Sequence, residues 1–307
     1  MINSGKSIAL SVVFDDIISL NYVFGRTIVK IKLNIFYSGL NPLIIPFQQD
    51  IHSTNNVMKI FQLILLLALH YSLLMAVPQT TGLSVCSDSS SALSPAPLQE
   101  EWAIEWWMPR HEAKLTEEGR ESSQLLFIGD SITHGWETTG KNVAEKYFAD
   151  YSIYNIGYSG DRTENVLWRF ERGEIDGINP ELAVVMIGTN NTGHRQDPPE
   201  CTAKGIEMIV GELKEKLPET KILLLAIFPR GETPVHELRQ LNHQINDRID
   251  MFDEDNRVYF LDINEVFLDD EGNLREEIMP DMLHPNEYGY RLWAEAMNST
   301  LKRLLEL

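Results

Sequence analysis

Short apolar runs at residues 124–129, 151–156, 182–187, 221–228 and 258–263 decide most of what this chain can become. They are largely apolar at odd and even positions alike, which leaves no solvent-facing side, and such runs read as strands buried in a parallel sheet. The first three end in or at a glycine, and the fourth stops at Pro229. Stretches with helical spacing separate them, at about 141–149, 162–172, 198–216 and 234–252, and another closes the chain at about 286–306. Parallel neighbours need crossovers of that length, and the crossovers are right-handed. The expected fold is α/β: one doubly wound sheet of five parallel strands, in a single domain over residues 99–307.

Sheets of this kind bind ligands beyond the carboxyl ends of their strands, so the chemistry must sit in the loops there. Gly129-Asp130-Ser131-Ile132 follows the first strand, Gly157-Tyr158-Ser159-Gly160-Asp161-Arg162 the second, and Gly188-Thr189-Asn190-Asn191 the third. Asp281-Met282-Leu283-His284-Pro285 precedes the last helix. A serine hydroxyl becomes a nucleophile when an imidazole takes its proton, and that imidazole needs an acceptor to fix its tautomer. Asp281 and His284 stand three apart on a loop entering a helix, so both can lie on one edge, with His284 toward Ser131. The backbone N–H groups of Ser131 and Gly160 and the carboxamide of Asn190 can supply three donors to an oxyanion. Singly, each residue has a blander use: Ser131 and Asp281 as helix-start residues, Gly160 as a turn glycine, Asn190 as a turn or cap residue. On one rim they make a complete set for acyl transfer.

Rival patterns fall short. Gly135 to Asn142 almost spells a phosphate-binding loop, but Asn142 replaces the hydroxyl that would hold magnesium, and the motif begins after the strand has ended. There is no Gly-x-Ser-x-Gly elbow. His111, His134, His194, His236 and His243 show no metal-ligand spacing, so neither metal nor other cofactor is expected. Trp102, Trp106 and Trp107 admit two uses, a sugar-stacking platform or, more commonly, a helix packing its apolar face.

Charge narrows the partners. Five basic and four acidic residues fall within residues 1–98, leaving 21 basic and 41 acidic, a net of −20, for residues 99–307. Such a domain repels phosphate backbones and anionic lipid surfaces, so no nucleic-acid partner is expected.

The first 98 residues stand apart. Residues 60–77 are the most apolar stretch, preceded by Met58 and Lys59 and followed by a Ser/Pro-rich run to Pro97. Read from Met58, residues 58–98 are a secretory signal, at about 58–80, and a linker; a membrane anchor is the rival reading. Leu83-Ser84-Val85-Cys86 also loosely resembles a lipid-attachment motif, with Val85 too large for it. Residues 1–57, upstream of that start, show no motif and no clean period, and read as a non-native or disordered extension. The protein is then exported, or cytoplasmic where the signal is not used. With the leader cut, only Cys201 of the two cysteines is certain to remain, and no disulfide is expected to staple the domain.

The blocks carry a resemblance. Leu126-Phe127-Ile128-Gly129-Asp130-Ser131, the string 155–161, Val166-Leu167-Trp168-Arg169, the string 185–191 and Phe228-Pro229-Arg230-Gly231-Glu232, with the Asp281 to Pro285 block, resemble the SGNH/GDSL hydrolases over about residues 102–307. Within these, the chain most resembles the catalytic subunits of intracellular platelet-activating-factor acetylhydrolases. Asn191 stands where many members of the superfamily have Asp, as it does in those subunits. The resemblance implies a flavodoxin-like three-layer α/β/α fold, Ser131 as nucleophile, His284 as base, Asp281 as its orienter, and Ser131, Gly160 and Asn190 as the oxyanion hole. It further implies that Ile132, Thr189 and Leu283 wall a pocket for a short acyl group, and that the chain forms a homodimer. The function expected is a serine esterase acting on a small-molecule or carbohydrate acetyl ester. A lysophospholipase, thioesterase or acyltransferase on the same residues, and a catalytically idle binding module, are the alternatives.

Overall fold

The computed structural model describes four strands between residues 8 and 48, together with residues 86–252 and 257–305. It divides into two compact units, Met1–Gly82 and Leu83–Leu307. In the first, β1 (Ile8–Val13), β2 (Ile17–Tyr22), β3 (Lys30–Tyr37) and β4 (Leu40–Gln48) pair antiparallel in chain order. The segment 60–77 read as a leader lies outside the described residues. No helix among the described residues is long and apolar enough to cross a membrane.

The second unit is built on five strands: β5 (Leu125–Gly129), β6 (Ile153–Gly157), β7 (Leu182–Met186), β8 (Lys221–Leu225) and β9 (Val258–Leu261). All neighbours are parallel, in the order β6-β5-β7-β8-β9, the flavodoxin-like order. The chain reverses its direction of growth between β5 and β7, so a crevice opens at their carboxyl ends. Alternation along each strand separates two cores. Leu126, Ile128, Ile156 and Val185 face α1 (Trp107–Leu115), α4 (Thr163–Glu171), α6 (Pro199–Lys216) and α7 (Glu237–Ile249). Leu125, Phe127, Val184 and Leu223 face α3 (Lys141–Tyr147) and α8 (Glu287–Leu305), where Trp293 and Met297 are fully buried. Two short helices follow the strand ends that matter most, α2 (Ser131–His134) after β5 and α5 (Thr189–Arg195) after β7. Neither shows as a periodic stretch in the sequence, because one or two turns are too few to establish a period.

Residues 87–97, expected as a linker, lie against this unit. Ala92 is fully buried, its carbonyl accepts from Thr163 Oγ1 at 2.8 Å, and Asn165 Nδ2 donates to the Ala96 carbonyl at 2.9 Å. Cys86 and Cys201 form a disulfide. This corrects the expectation that no disulfide staples the domain, and it takes up the sulfur that the lipid-attachment reading required. Serine and proline mimic a linker in composition, whereas here they lead a chain whose polar partners lie some seventy residues further on.

Candidate active site

Ser131 opens α2, two residues after the glycine that ends β5. The cap of that helix is Asp130, whose Oδ1 accepts from the Ile132 N–H at 3.0 Å. The Ser131 hydroxyl is therefore not spent on capping. It meets His284 Nε2 at 2.8 Å. The other ring nitrogen, Nδ1, lies 2.6 Å from Asp281 Oδ2. Asp281 Oδ1 in turn accepts from the backbone N–H groups of His284 (2.7 Å) and Leu283 (3.1 Å). The turn closes because Met282 takes a left-handed conformation (φ 58°), uncommon for a side chain of its size. Burial alone would raise the Asp281 carboxyl, but the His284 and Leu283 amides and the imidazole together hold it below the usual carboxylate range. An ionised Asp281 fixes the proton of His284 on Nδ1 and leaves Nε2 to accept from Ser131.

The β6 turn lies beside this pair. Gly157 stands opposite Gly129 in the sheet, the Tyr158 N–H donates to the Gly129 carbonyl at 3.0 Å, and His134 Nδ1 lies 3.1 Å from Ser159 Oγ. A methyl group on Gly157 would collide with the His134 backbone, so glycine there lets α2 sit down on the sheet ends. Gly160 has φ +85°, a conformation that favours glycine, and the next residue, Asp161, accepts from Asn190 Nδ2 through its carbonyl at 3.0 Å. The Gly160 turn and the Asn190 amide are thus neighbours. The Asp161 carboxylate is fully buried, bound by Arg169 Nε (3.0 Å), Arg169 Nη2 (2.9 Å) and Trp107 Nε1 (2.6 Å). Burial pushes Asp161 up to about 6 against the pull of Arg169, and burial likewise pushes Asp130 up to about 6.

Of the residues expected to wall an acyl pocket, Ile132 is buried and Leu283 packs in the same core. Thr189 is buried at the start of α5, where its carbonyl accepts from Arg230 Nη1 at 2.8 Å. Asn191 knits α5 to α4, accepting from the Thr163 N–H and donating to Thr163 Oγ1 and Asp197. The three tryptophans part company. Trp107 is wholly buried, while Trp102 is 54% exposed and stacks on Trp106 with ring centroids 6.2 Å apart.

Three further residues have no role in the sequence reading. Tyr290, nearly wholly buried, donates to the Ile132 carbonyl at 2.7 Å and pins the residue after Ser131. Asp130 caps α2. Arg230 places a half-buried guanidinium whose charge acts on Asp130 and Asp281. The string around Arg230 is visible in the sequence, but nothing local shows that it folds against α5.

Comparison with known proteins bears on this geometry. The model of the GDSL-like lipase/acylhydrolase family matches residues 127–292. The chain belongs to that family. It is 32% identical over 219 residues to platelet-activating factor acetylhydrolase IB subunit alpha1 of Bos taurus, covering 71% of this chain and 92% of the relative. Its fold matches a GDSL-like lipase of Bacteroides thetaiotaomicron (TM-score 0.54, 20% identity, 64% of this chain and 97% of that one) and an acetyl xylan esterase (0.50, 21%, 58% and 98%). The chain is accordingly a carboxylic ester hydrolase.

Proposed function

We propose that this protein is a serine esterase that removes short acyl groups, acetyl foremost, through Ser131, His284 and Asp281. The observation that carries the reading is the pair of short hydrogen bonds from Ser131 Oγ to His284 Nε2 and from His284 Nδ1 to Asp281. His284 takes the hydroxyl proton as Oγ bonds to the ester carbonyl carbon, and the Ser131 and Gly160 N–H groups and the Asn190 amide receive the oxyanion. The imidazolium, balanced by Asp281, then gives its proton to the departing alcohol. A water deprotonated by the same Nε2 releases the acid from Ser131. Ile132, Thr189 and Leu283 border the acyl group.

The relatives' name, acetylhydrolase, supports a short acyl group. An open rim, with the His284 and Asp281 side chains 43% and 56% exposed, supports a bulky alcohol half such as an O-acetylated carbohydrate, as does the acetyl xylan esterase of like fold. The Cys86–Cys201 disulfide supports an oxidising compartment, hence export through a leader at about 58–80, with a mature N-terminus ahead of Cys86.

The deciding experiment is hydrolysis of p-nitrophenyl acetate, butyrate and octanoate by the protein and by Ser131→Ala. Acetate turnover that vanishes in the variant is expected. A preference for octanoate would move the assignment to a lysophospholipase or thioesterase. No Ser131-dependent turnover on any chain length would leave a binding module ahead.

A further inference from the structure

Trp102 sits half open to solvent in a unit that keeps Trp107, Trp136 and Trp293 inside. Its ring lies against Gly160, so closely that a methyl group on that glycine would strike it. Leu98 backs the same glycine. Trp106 stacks on Trp102 and meets the His134 ring at 6.2 Å, and His134 ends the one-turn helix that Ser131 begins. The two indoles therefore border the nucleophile's turn on one side and an expected oxyanion donor on the other. Polar groups of planar shape accompany them: Glu100, two residues before Trp102, accepts from Arg162 Nη1 at 3.0 Å, and the same nitrogen lies 3.4 Å from His194 Nδ1.

A half-exposed indole packed on the turn that leads into Arg162, with Glu100 and His194 as partners of that guanidinium, suits a pyranose ring. The C–H groups of the sugar face carry slight positive charge and rest on the negative face of the aromatic ring, while the hydroxyls take the polar groups. The acidic surface disfavours an anionic lipid headgroup at the same place. We propose that Trp102, supported by Trp106, is the platform on which the alcohol half of the substrate, an O-acetylated pyranose, stacks while its acetyl group enters beside Ser131. The proposal rests on the esterase reading above and specifies its substrate.

The test compares two acetyl esters, O-acetylated xylotetraose and ethyl acetate, which share the scissile bond but not the ring. The selectivity, kcat/KM for the oligosaccharide over that for ethyl acetate, is expected to fall about tenfold or more in Trp102→Ala, through KM, and to be largely restored in Trp102→Phe. Equal losses on both esters would reduce Trp102 to a prop for the Gly160 turn and overturn the platform, as would an unchanged ratio. Ser131-dependent turnover of ethyl acetate without turnover of the oligosaccharide would sink the platform and leave the esterase standing. No Ser131-dependent turnover of either ester would sink the esterase reading instead. Calorimetric binding of the oligosaccharide to Ser131→Ala then decides the platform by itself: binding lost on adding Trp102→Ala supports it, and no binding overturns it.

Discussion

Asn190 donates its amide to the Asp161 carbonyl, and that bond holds the amide beside the Gly160 turn. Truncating it would remove one of the three proposed oxyanion donors and leave the proposed nucleophile, Ser131, and base, His284, in place. Asn190→Ala is expected to lose roughly 10²–10³ in kcat with little change in KM for acetate esters. A loss under about threefold would remove Asn190 from the reaction. His134 carries a different consequence. Burial, helped by the charge of Arg110, holds its imidazole down at about 4 against 6.5 in the unfolded chain. Between those values the unfolded chain binds a proton that the folded chain refuses, so stability present above pH 6.5 drains away as pH falls toward 4. Asp130, raised from 3.8 to about 6, has the opposite sign, stabilising at low pH and losing that contribution as pH rises through 6. His134→Asn should therefore lose less stability than the parent between pH 6.5 and 4, by on the order of 1 kcal/mol after allowance for its partial exposure. Urea unfolding at the two pH values measures the difference, and equal slopes would refute it.

At the scale of elements, the β6 turn and α4 are joined by a buried ionic cluster. Arg169 binds Asp161 and Glu174, and its guanidinium lies 3.9 Å from the centroid of the Tyr158 ring. Tyr158 and His111 also meet Glu174, and Arg169, Asp161 and Glu174 are wholly buried. Removing one partner strands the others' charges, so Arg169→Met is expected to cost about 3–5 kcal/mol. It should also lower kcat in the fraction that remains folded, because Asp161 holds the turn that presents Gly160. Differential scanning calorimetry with kinetics on the same sample checks both effects. Normal turnover beside a large stability loss would separate the cluster from the site. None of this is legible from the local pattern: Val166-Leu167-Trp168-Arg169 reads as an amphipathic turn, and only the packing of α4 on β6 turns Arg169 inward.

For the whole molecule, the disulfide ties the segment after residue 85 to α6 across a sequence separation of 115. Closing so long a loop restricts the unfolded chain, and Cys86→Ser is expected to lower stability by about 2–5 kcal/mol, read as a lower Tm. The segment it anchors leads through Leu98 to Trp102, so reduction should loosen the wall over Gly160 as well. An unchanged Tm on reduction would show that the packing of Ala92 and Leu98 holds the segment alone.

The five strands, their glycine stops and the intervening helices were legible because burial on both faces leaves a compositional mark that needs no partner to be read. The four loops carrying Ser131, Gly160, Asn190 and the Asp281–His284 pair were legible because parallel topology forces strand ends onto one rim. The tertiary structure alone decided that Asp130 rather than Ser131 caps α2, that Cys86 finds Cys201, that Arg230 approaches Asp130 and Asp281, and that Trp102 stays at the surface while Trp107 goes inside. Each of these depends on residues distant in the chain meeting at a particular angle, and spacing along a sequence holds no information about that angle until the layers have packed.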